Sequence, residues 1–532
     1  MKTNIKIIVF ISAIVLILNS GSWGFLEPSE SRYAEISKEM MVNHDYLNPT
    51  LLQIKHYHKP PITYYITTVG YRLFGFNSFA ARFFLQISVL IQLLLVYKIA
   101  LLLYQNKKIA LGSVMIYFSL PLVLISTRNL TTDNYLNTFI LAAIFFWLSQ
   151  KKGLNKTFFT YLFYVCLGLI FETKGPVGLL FVFSFIIIYL WIYKEKIQFN
   201  IHHVFGIVVF GLIAFAWYIL LYLNNPNVLN YFLKNQISDR ITSSSFNRGK
   251  PFWYYLVTIP LLCLPAFLIL SLSIKKKIKK ISNKCTLVLV VTTIALFIVF
   301  SMFKTKLILY ILPLLGFIAI LTAKVIYDAS NASLKTYNKV LIGLMVVLFV
   351  AVVVVPFLNI GYTADIKVTL FIGFVLLAAI VFINRQQKGF YKTTFLFFLF
   401  GCLLLQSSAH FLEKNESNLN SVKEVFQFIE EELNTTDTVY IYNYLITSGN
   451  FYTTKNIVTI NNGHNTVKRE TFFETNSDWK NNLIDFKTET GKEQIESNLT
   501  KPTVLLARKK DKLPELFPYK NKKVFGKWIL YY

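Results

Sequence analysis

The chain has 532 residues, of which 55% are hydrophobic and 16% aromatic, and a formal net charge of +27. A soluble protein of this length divides into several water-facing domains, whereas this chain repeats apolar runs of about 17–25 residues, the length that crosses a bilayer as a helix. The runs are continuous rather than alternating, which excludes a transmembrane β-barrel. The lysines and arginines cluster in short loops between the runs, so the basic balance points to a membrane and not to nucleic acid.

In chain order, hydropathy predicts about 13 spans, with cores near 5–25, 80–103, 109–125, 133–149, 158–171, 175–193, 203–223, 253–273, 285–302, 307–325, 339–359, 367–384 and 392–410. They must be helices, because hydrocarbon offers no other partner to backbone polar groups. The first run has the basic start and short apolar core of a signal peptide; an uncleaved anchor is the expectation, since no small-x-small site stands clearly before the polar stretch that follows. With a cytoplasmic N-terminus, the basic loops "QNKKIA", "SQKKGLNK", "YKEK", "SIKKKIKKISNK" and "NRQQKGFYK" lie inside and the C-terminus lies outside. Three larger polar segments then fall outside: 26–79, 224–252 and 411–532.

The expected organisation is therefore a polytopic α-helical domain over 1–410, including the outer loop 26–79, and a small extracytoplasmic α/β domain over 411–532. In the latter, "SVKEVFQFIEEEL" reads as an amphipathic helix, and "TVYIYNY", "NIVTI", "PTVLLAR" and "KWILYY" read as short strands. Cys166, Cys263, Cys285 and Cys402 lie in or beside apolar runs without metal spacing and read as core filler. No Walker motif, strand–helix GxGxxG or HExxH occurs, so cytoplasmic ATP chemistry has no support.

The unusual residues lie on the outer face. Segment 26–79 is long for a loop between spans, as functional loops are. Tyr33, Ile36, Met40 and Met41 fall on one side of "SRYAEISKEMM" at helical spacing, predicting a helix at the membrane interface; from periodicity alone, solvated charges on a plain interfacial helix explain it equally. "HYHKPP", 56–61, is stiff extended backbone, because two prolines follow His58 and Lys59. Asp133 opens the fourth span, Lys174 precedes the helix-breaking Gly175 and Pro176, and Lys304 and Lys306 stand in "SMFKTKLILYILP". Each has a bland reading, as a helix-terminal charge or a snorkelling amine. Together, Arg32, Lys59, Arg128, Lys174, Lys304 and Lys306 set cations on the outer side, against the positive-inside bias. Several basic groups at one membrane face suit a phosphate, and at that depth the phosphate belongs to a lipid.

These motifs resemble the GT-C membrane glycosyltransferases, in particular the lipid A aminoarabinose transferases and related bacterial dolichyl-phosphate-mannose-protein mannosyltransferase enzymes. "PSESRYAEISKEM" matches a family pattern close to P-D-E-x-R-Y-A-E-I-x-R-E-M, and "GFNSFAARF", "TKGPVG", "NRGKPFWYYL" and "KTKLILYILP" follow in order. The resemblance implies an inverting transferase that moves a sugar from a polyprenyl-phosphate carrier, such as undecaprenyl phosphate, to a lipid A-like glycolipid, glycan or protein acceptor on the outer face of the bacterial cytoplasmic (inner) membrane. It implies phosphate-binding roles for Arg32 and Lys59, assisted by Lys304 and Lys306, with Tyr33, His58 and Lys174 at the substrate. It also implies a carboxylate that orients or deprotonates the acceptor. Asp133 occupies one of the family's two acidic positions.

The other acidic position holds Ser29, which cannot serve as a base at neutral pH without activation. Either Glu30 or Glu27 replaces it, or the acceptor arrives already ionised, or the protein is inactive and binds lipid only. His58 stands where relatives have Glu, and Asn235 and Gln236 stand where they have an acidic–His pair. No metal or other cofactor is expected to be required, since a lone His58 more often hydrogen-bonds than ligates. The rival class, a transporter or flippase, needs polar groups near span midplanes; most charges here lie near span ends.

Overall fold

The structure, a computed structural model, describes residues 4–226, 228, 249–277, 283–358, 361–463, 470–474, 476–499, 502–514, 516–517 and 519–532. Asn235 and Gln236 lie outside them. The chain forms two compact units, one of Met1–Asn19, Leu85–Leu358 and Ala364–Ser408, the other of Ser20–Phe84, Asn359–Thr363 and Ala409–Tyr532. The segment 20–84, read from sequence with the membrane part, is thus grouped with the C-terminal residues.

The first unit is helical. Asparagines begin many of its helices: Asn106, Asn155, Asn200 and Asn283 each accept a backbone N–H of the first turn, satisfying donors that a helix leaves orphaned. Among the described residues, seven helical segments are long and apolar enough to cross a bilayer, or nine if each sharply bent pair is one span. Every predicted span core overlaps a helix, but the counts differ for physical reasons. Ile5–Ile17 and Leu314–Tyr327 are shorter than a full span, and two predicted spans merge in the 38-residue Lys156–Tyr193, joined through the 3-10 turn Gly175–Gly178. Lys107–Ser119 turns by 64° into Pro121–Thr127, where Pro121 supplies no N–H to continue the first helix. Trp191, Phe374 and Leu212 stay 71%, 70% and 68% exposed, an apolar surface of a kind that lipid covers and water does not. The chain is a multi-pass membrane protein.

A buried polar network fixes this unit internally. The Gln92 amide donates to the Asn134 carbonyl at 3.0 Å and to Thr138 Oγ1 at 2.8 Å, and its carbonyl accepts from Tyr117 at 2.6 Å and Asn137 at 3.1 Å. Buried amides are costly without partners, so the network holds the helix Thr132–Lys151, and with it Asp133, in one rotation.

In the second unit the C-terminal residues build the expected α/β domain. A small hairpin, β1 (Thr50–Leu51) and β2 (Ile54–Lys55), precedes the main strands β3 (Thr438–Tyr442), β4 (Asn456–Asn461), β5 (Leu483–Asp485), β6 (Thr503–Arg508), β7 (Lys522–Phe525) and β8 (Trp528–Tyr531). The main sheet has the order β5-β4-β3-β6-β8-β7, parallel through β6 and antiparallel beyond. Alternation puts Val439 and Ile441 on one face, against Val425, Phe426 and Ile429 of the helix Lys423–Glu432, and Tyr440 and Tyr442 on the other, with Ile495. The predicted helix and four strands are found; β5, only three residues long, and β7, which opens with two lysines and is largely exposed, are additional and do not announce themselves.

The segment 20–84 folds around one guanidinium. Arg82 is fully buried, and its five N–H donors have five acceptors: Glu30 Oε1 at 2.7 Å and Oε2 at 2.8 Å, and the carbonyls of Ser20, Trp23 and Gly24 at 2.9–3.1 Å. Its plane lies 4.4 Å from the Trp23 ring centre, adding cation–π attraction. Glu30 opens the helix Ser29–Val42, so this pair anchors the helix. The periodicity placed the helix correctly, but it does not lie with solvated charges. Glu30, Glu35 and Glu39 are all buried.

Glu35 receives the Asn450 amide at 2.7 Å, and its Oε2 has no partner among the described residues. Burial, reinforced by neighbouring Glu39, pushes its carboxyl up to about 8. Glu39 is raised chiefly by burial as well. It accepts the Gln53 N–H at 3.1 Å and thereby secures the β1–β2 turn, where Leu52 and Gln53 both take the left-handed conformation that such turns require.

Two expectations follow. Arg82→Ala, which strands a buried Glu30 charge, should destabilise the detergent-solubilised chain by about 3–5 kcal/mol, and Arg82→Lys should not restore it, since an ammonium lacks the planar fork. Unfolding indistinguishable from wild type would refute the anchor. For Glu35, the folded pKa exceeds the unfolded 4.5, so its contribution is complete below about 4.5 and is lost as pH rises through about 8. Glu35→Gln should therefore lose less thermal stability than wild type between about pH 5 and pH 9; parallel melting curves would contradict the shift.

Candidate functional site

The residues that sequence singled out divide between the two units: Glu27, Glu30, Arg32, Tyr33, His58 and Lys59 in the second, Asp133, Lys174, Lys304 and Lys306 in the first.

In the second unit, Glu27 is 7% exposed and accepts from Ser31 Oγ at 2.7 Å, Ser448 Oγ at 2.7 Å, Ser448 N at 2.8 Å, and Thr447 N and Oγ1 at 3.1 Å. Burial raises its pKa, and these bonds pull it partly back. Both oxygens of Glu27 are engaged, as both oxygens of Glu30 are by Arg82. Ser29 is exposed at the first position of its helix.

Arg32 behaves differently. It is half-buried, its Nε is buried, and among the described residues it has no hydrogen-bond or ion-pair partner. Its neighbour Tyr33 packs its ring against Tyr64 at 5.6 Å. A half-buried guanidinium with no partner among the described residues is suited to an external anion. Lys59 is half-buried and follows buried His58 at the entrance to the helix Ile62–Phe74. Pro60 and Pro61 stiffen this junction.

In the first unit, Asp133 and Lys174 form an ion pair in which both side chains are nearly buried. The pairing follows from helix lengths. Thr132–Lys151 and Lys156–Lys174 have 20 and 19 residues, so a hairpin of the two returns the end of the second to the start of the first. The Lys174 ammonium also lies 4.1 Å from the centre of the Tyr310 ring. Asp133 uses Oδ1 for this pair; its Oδ2 accepts no hydrogen bond among the described residues.

The other cations serve the backbone. Arg128 donates to the carbonyls of Leu16 at 2.8 Å and Leu18 at 3.0 Å, closing the C-terminal end of the helix Ile5–Ile17 in the way that end's dipole favours. Lys306 is 3% exposed and gives its ammonium to the carbonyls of Lys250 and Phe303. Lys304 is exposed, and its carbonyl accepts the Lys250 N–H at 3.1 Å. Arg82 is the anchoring residue that sequence reasoning passed over. It stood in the quoted "GFNSFAARF", and an arginine against an apolar run is itself a signal that a buried partner exists.

Comparison with known proteins bears out the resemblance. The family described as dolichyl-phosphate-mannose-protein mannosyltransferase matches residues 58–219. A Wigglesworthia glossinidia brevipalpis protein, described as undecaprenyl phosphate-alpha-4-amino-4-deoxy-L-arabinose arabinosyl transferase, is 32% identical over 352 residues, covering 64% of this chain and 61% of that protein. A Photorhabdus laumondii protein of the same description is 30% identical over 56% of this chain and 55% of its own length. The chain thus spans between 55% and 61% of the length of these relatives. The crystal structure of ArnT from Cupriavidus metallidurans bound to undecaprenyl phosphate superposes with a TM-score of 0.79 over 99% of this chain and 97% of that one, at 20% identity. The fold is accordingly that of the ArnT structure, a polytopic helical body with a small C-terminal α/β domain, as the resemblance implied.

Proposed function

We propose that this chain is an inverting glycosyltransferase that moves a sugar, of the pentose class its relatives' names indicate, from a polyprenyl-phosphate carrier to an envelope acceptor such as a lipid A-like glycolipid. The reaction takes place on the outer face of the bacterial inner membrane, where the C-terminal domain also lies. The observation that carries this reading is the matched region 58–219, which contains His58, Lys59, Asp133 and Lys174, in a chain about a third identical to arabinosyl transferases over more than half its length.

In the proposed step an acceptor oxygen attacks the anomeric carbon from the face opposite the carrier. The bond from that carbon to the phosphate oxygen breaks, and the electron pair leaves with the polyprenyl phosphate. Negative charge grows on the departing phosphate as the sugar gains oxocarbenium character. Arg32 and Lys59 are assigned to that charge, because groups aimed at developing charge accelerate the step. Asp133 is assigned to the acceptor, its Oδ2 taking the hydroxyl proton, with Lys174 fixing its orientation. Glu27 and Glu30, both candidates from sequence, become positioning residues. Lys304 and Lys306 are given no direct role.

The test supplies purified chain with labelled polyprenyl-phosphate sugar and lipid extract and measures released polyprenyl phosphate. Lys59→Ala or Arg32→Ala should each lower turnover by about 10²-fold or more, whereas Lys388→Ala, in a loop assigned to the cytoplasmic side, should change it less than twofold. Equal effects would refute the phosphate assignment. Asp133→Asn should lower turnover by about 10²–10⁴-fold while donor binding persists. Donor binding by wild type without turnover on any acceptor would instead identify a lipid-binding protein.

A further inference from the structure

The "HYH" preceding Lys59 acquires a third member that lies far off in sequence. His56, His58 and Glu470, all in the second unit, are 3%, 9% and 8% exposed, and one donor atom from each lies within 4.8 Å of the others. Leaving β2, the chain sets two histidines at i and i+2, the spacing that brings side chains to one side of an extended segment. Their rings meet edge to face, with centres 4.2 Å apart.

Contacts beyond the three donors hold both segments. The His56 N–H donates to the Pro49 carbonyl at 2.8 Å. Glu474 accepts the Lys55 N–H at 2.6 Å. Phe473 packs against Tyr57 at 4.9 Å and His58 at 5.7 Å. The donors therefore stand on backbone that is already tied together, which is what a metal site needs before the metal arrives.

We propose that His56, His58 and Glu470 form a site for a divalent transition-metal ion of the zinc class. Two neutral imidazoles and one carboxylate match the preference of such ions for nitrogen and oxygen donors, and the single carboxylate offsets part of the cation's charge in a buried place. Bonds of 2.0–2.1 Å in tetrahedral geometry set donors about 3.3 Å apart, so the three need to close by at most about 1.5 Å. Three protein ligands leave a fourth position for water or an anionic oxygen. His58 is bonded to Lys59, so the ion would also hold the backbone that carries the proposed phosphate lysine. That consequence rests on the sugar-transfer reading; metal binding does not.

The experiment uses the full chain purified in detergent with a histidine-free tag, stripped with chelator, re-equilibrated with zinc alone and desalted. Elemental analysis should find one zinc per chain in wild type. Competition with a chromophoric chelator should show at least tenfold weaker binding in His56→Asn and Glu470→Gln, and unchanged binding in His44→Asn, a substitution at an exposed histidine outside the cluster. Cobalt substituted into wild type should give the intense visible bands of a four-coordinate ion, a readout independent of whether any variant folds. No retained zinc in wild type, equal zinc in all three variants, or a weak six-coordinate cobalt spectrum would each overturn the site. Sugar transfer can fail while zinc binds, and zinc binding can fail while transfer proceeds, so the two readings are separable.

Discussion

The second unit depends on a guanidinium that has no access to water. Burying Arg82 forfeits its hydration, a cost that only complete pairing recovers, and complete pairing sets strict terms on the surrounding chain. Three carbonyls between Ser20 and Gly24 must turn inward, and the Glu30 carboxylate must present both oxygens in one plane. Gly24 meets a further condition. Its N–H donates to Glu416, and a Cβ there would stand 2.7 Å from Ser421 Oγ and 2.8 Å from the Tyr452 hydroxyl. The start of the helix Ser29–Val42, and hence the direction of Arg32, follows from where this cage closes.

That helix distributes its charges unevenly. Glu30 has a cation. Glu27, Glu35 and Glu39 are buried with neutral donors: hydroxyls, an amide and backbone N–H groups. Lys38 eases Glu35 and Glu39 electrostatically, yet its ammonium goes to the Asn450 carbonyl and lies 4.9 Å from the Phe451 ring centre. Arg32 is not used to neutralise any of them. A half-buried guanidinium with no partner among the described residues is a costly arrangement, and an anionic ligand gives it a reason to persist.

Much of this was legible in the sequence because periodicity reports burial. The apolar runs announced the helices, "SRYAEISKEMM" its helix and "TVYIY" its strand. Pairing was not legible. Asp133 and Lys174 were each noticed, but their ion pair depends on two helices of matched length. Glu30 drew attention as a base, although its partner, Arg82, lies 52 residues further along the chain. Periodicity left the polar side of 29–42 open between solvated and buried glutamates, because a hydrophobicity scale cannot anticipate hydroxyls supplied by Thr447 and Ser448. His58 looked solitary for the same reason, since Glu470 is far away in sequence.

These pairings bear on the missing acid at Ser29. A general base needs a lone pair free to take a proton and a route to the acceptor. Glu30 holds both oxygens against a fork of N–H donors, so protonating it would break the cage that orients the helix. Glu27 carries donors on both oxygens, and burial already raises its pKa; an incoming hydroxyl would have to displace Ser31, Thr447 or Ser448. Neither glutamate fills the place of Ser29 without dismantling structure. Asp133 keeps Oδ2 clear of hydrogen bonds among the described residues while Lys174 holds Oδ1. It is thus the one candidate carboxylate of the three that keeps an oxygen clear for a proton, at the expense of weakening its buried ion pair with Lys174. An acceptor that arrives as an anion needs no base at all, and then Ser29 costs nothing in rate; because Asp133→Asn also strands the nearly buried Lys174 ammonium, the two cases are separated by comparing that variant's turnover on an ionised acceptor and on a hydroxyl acceptor.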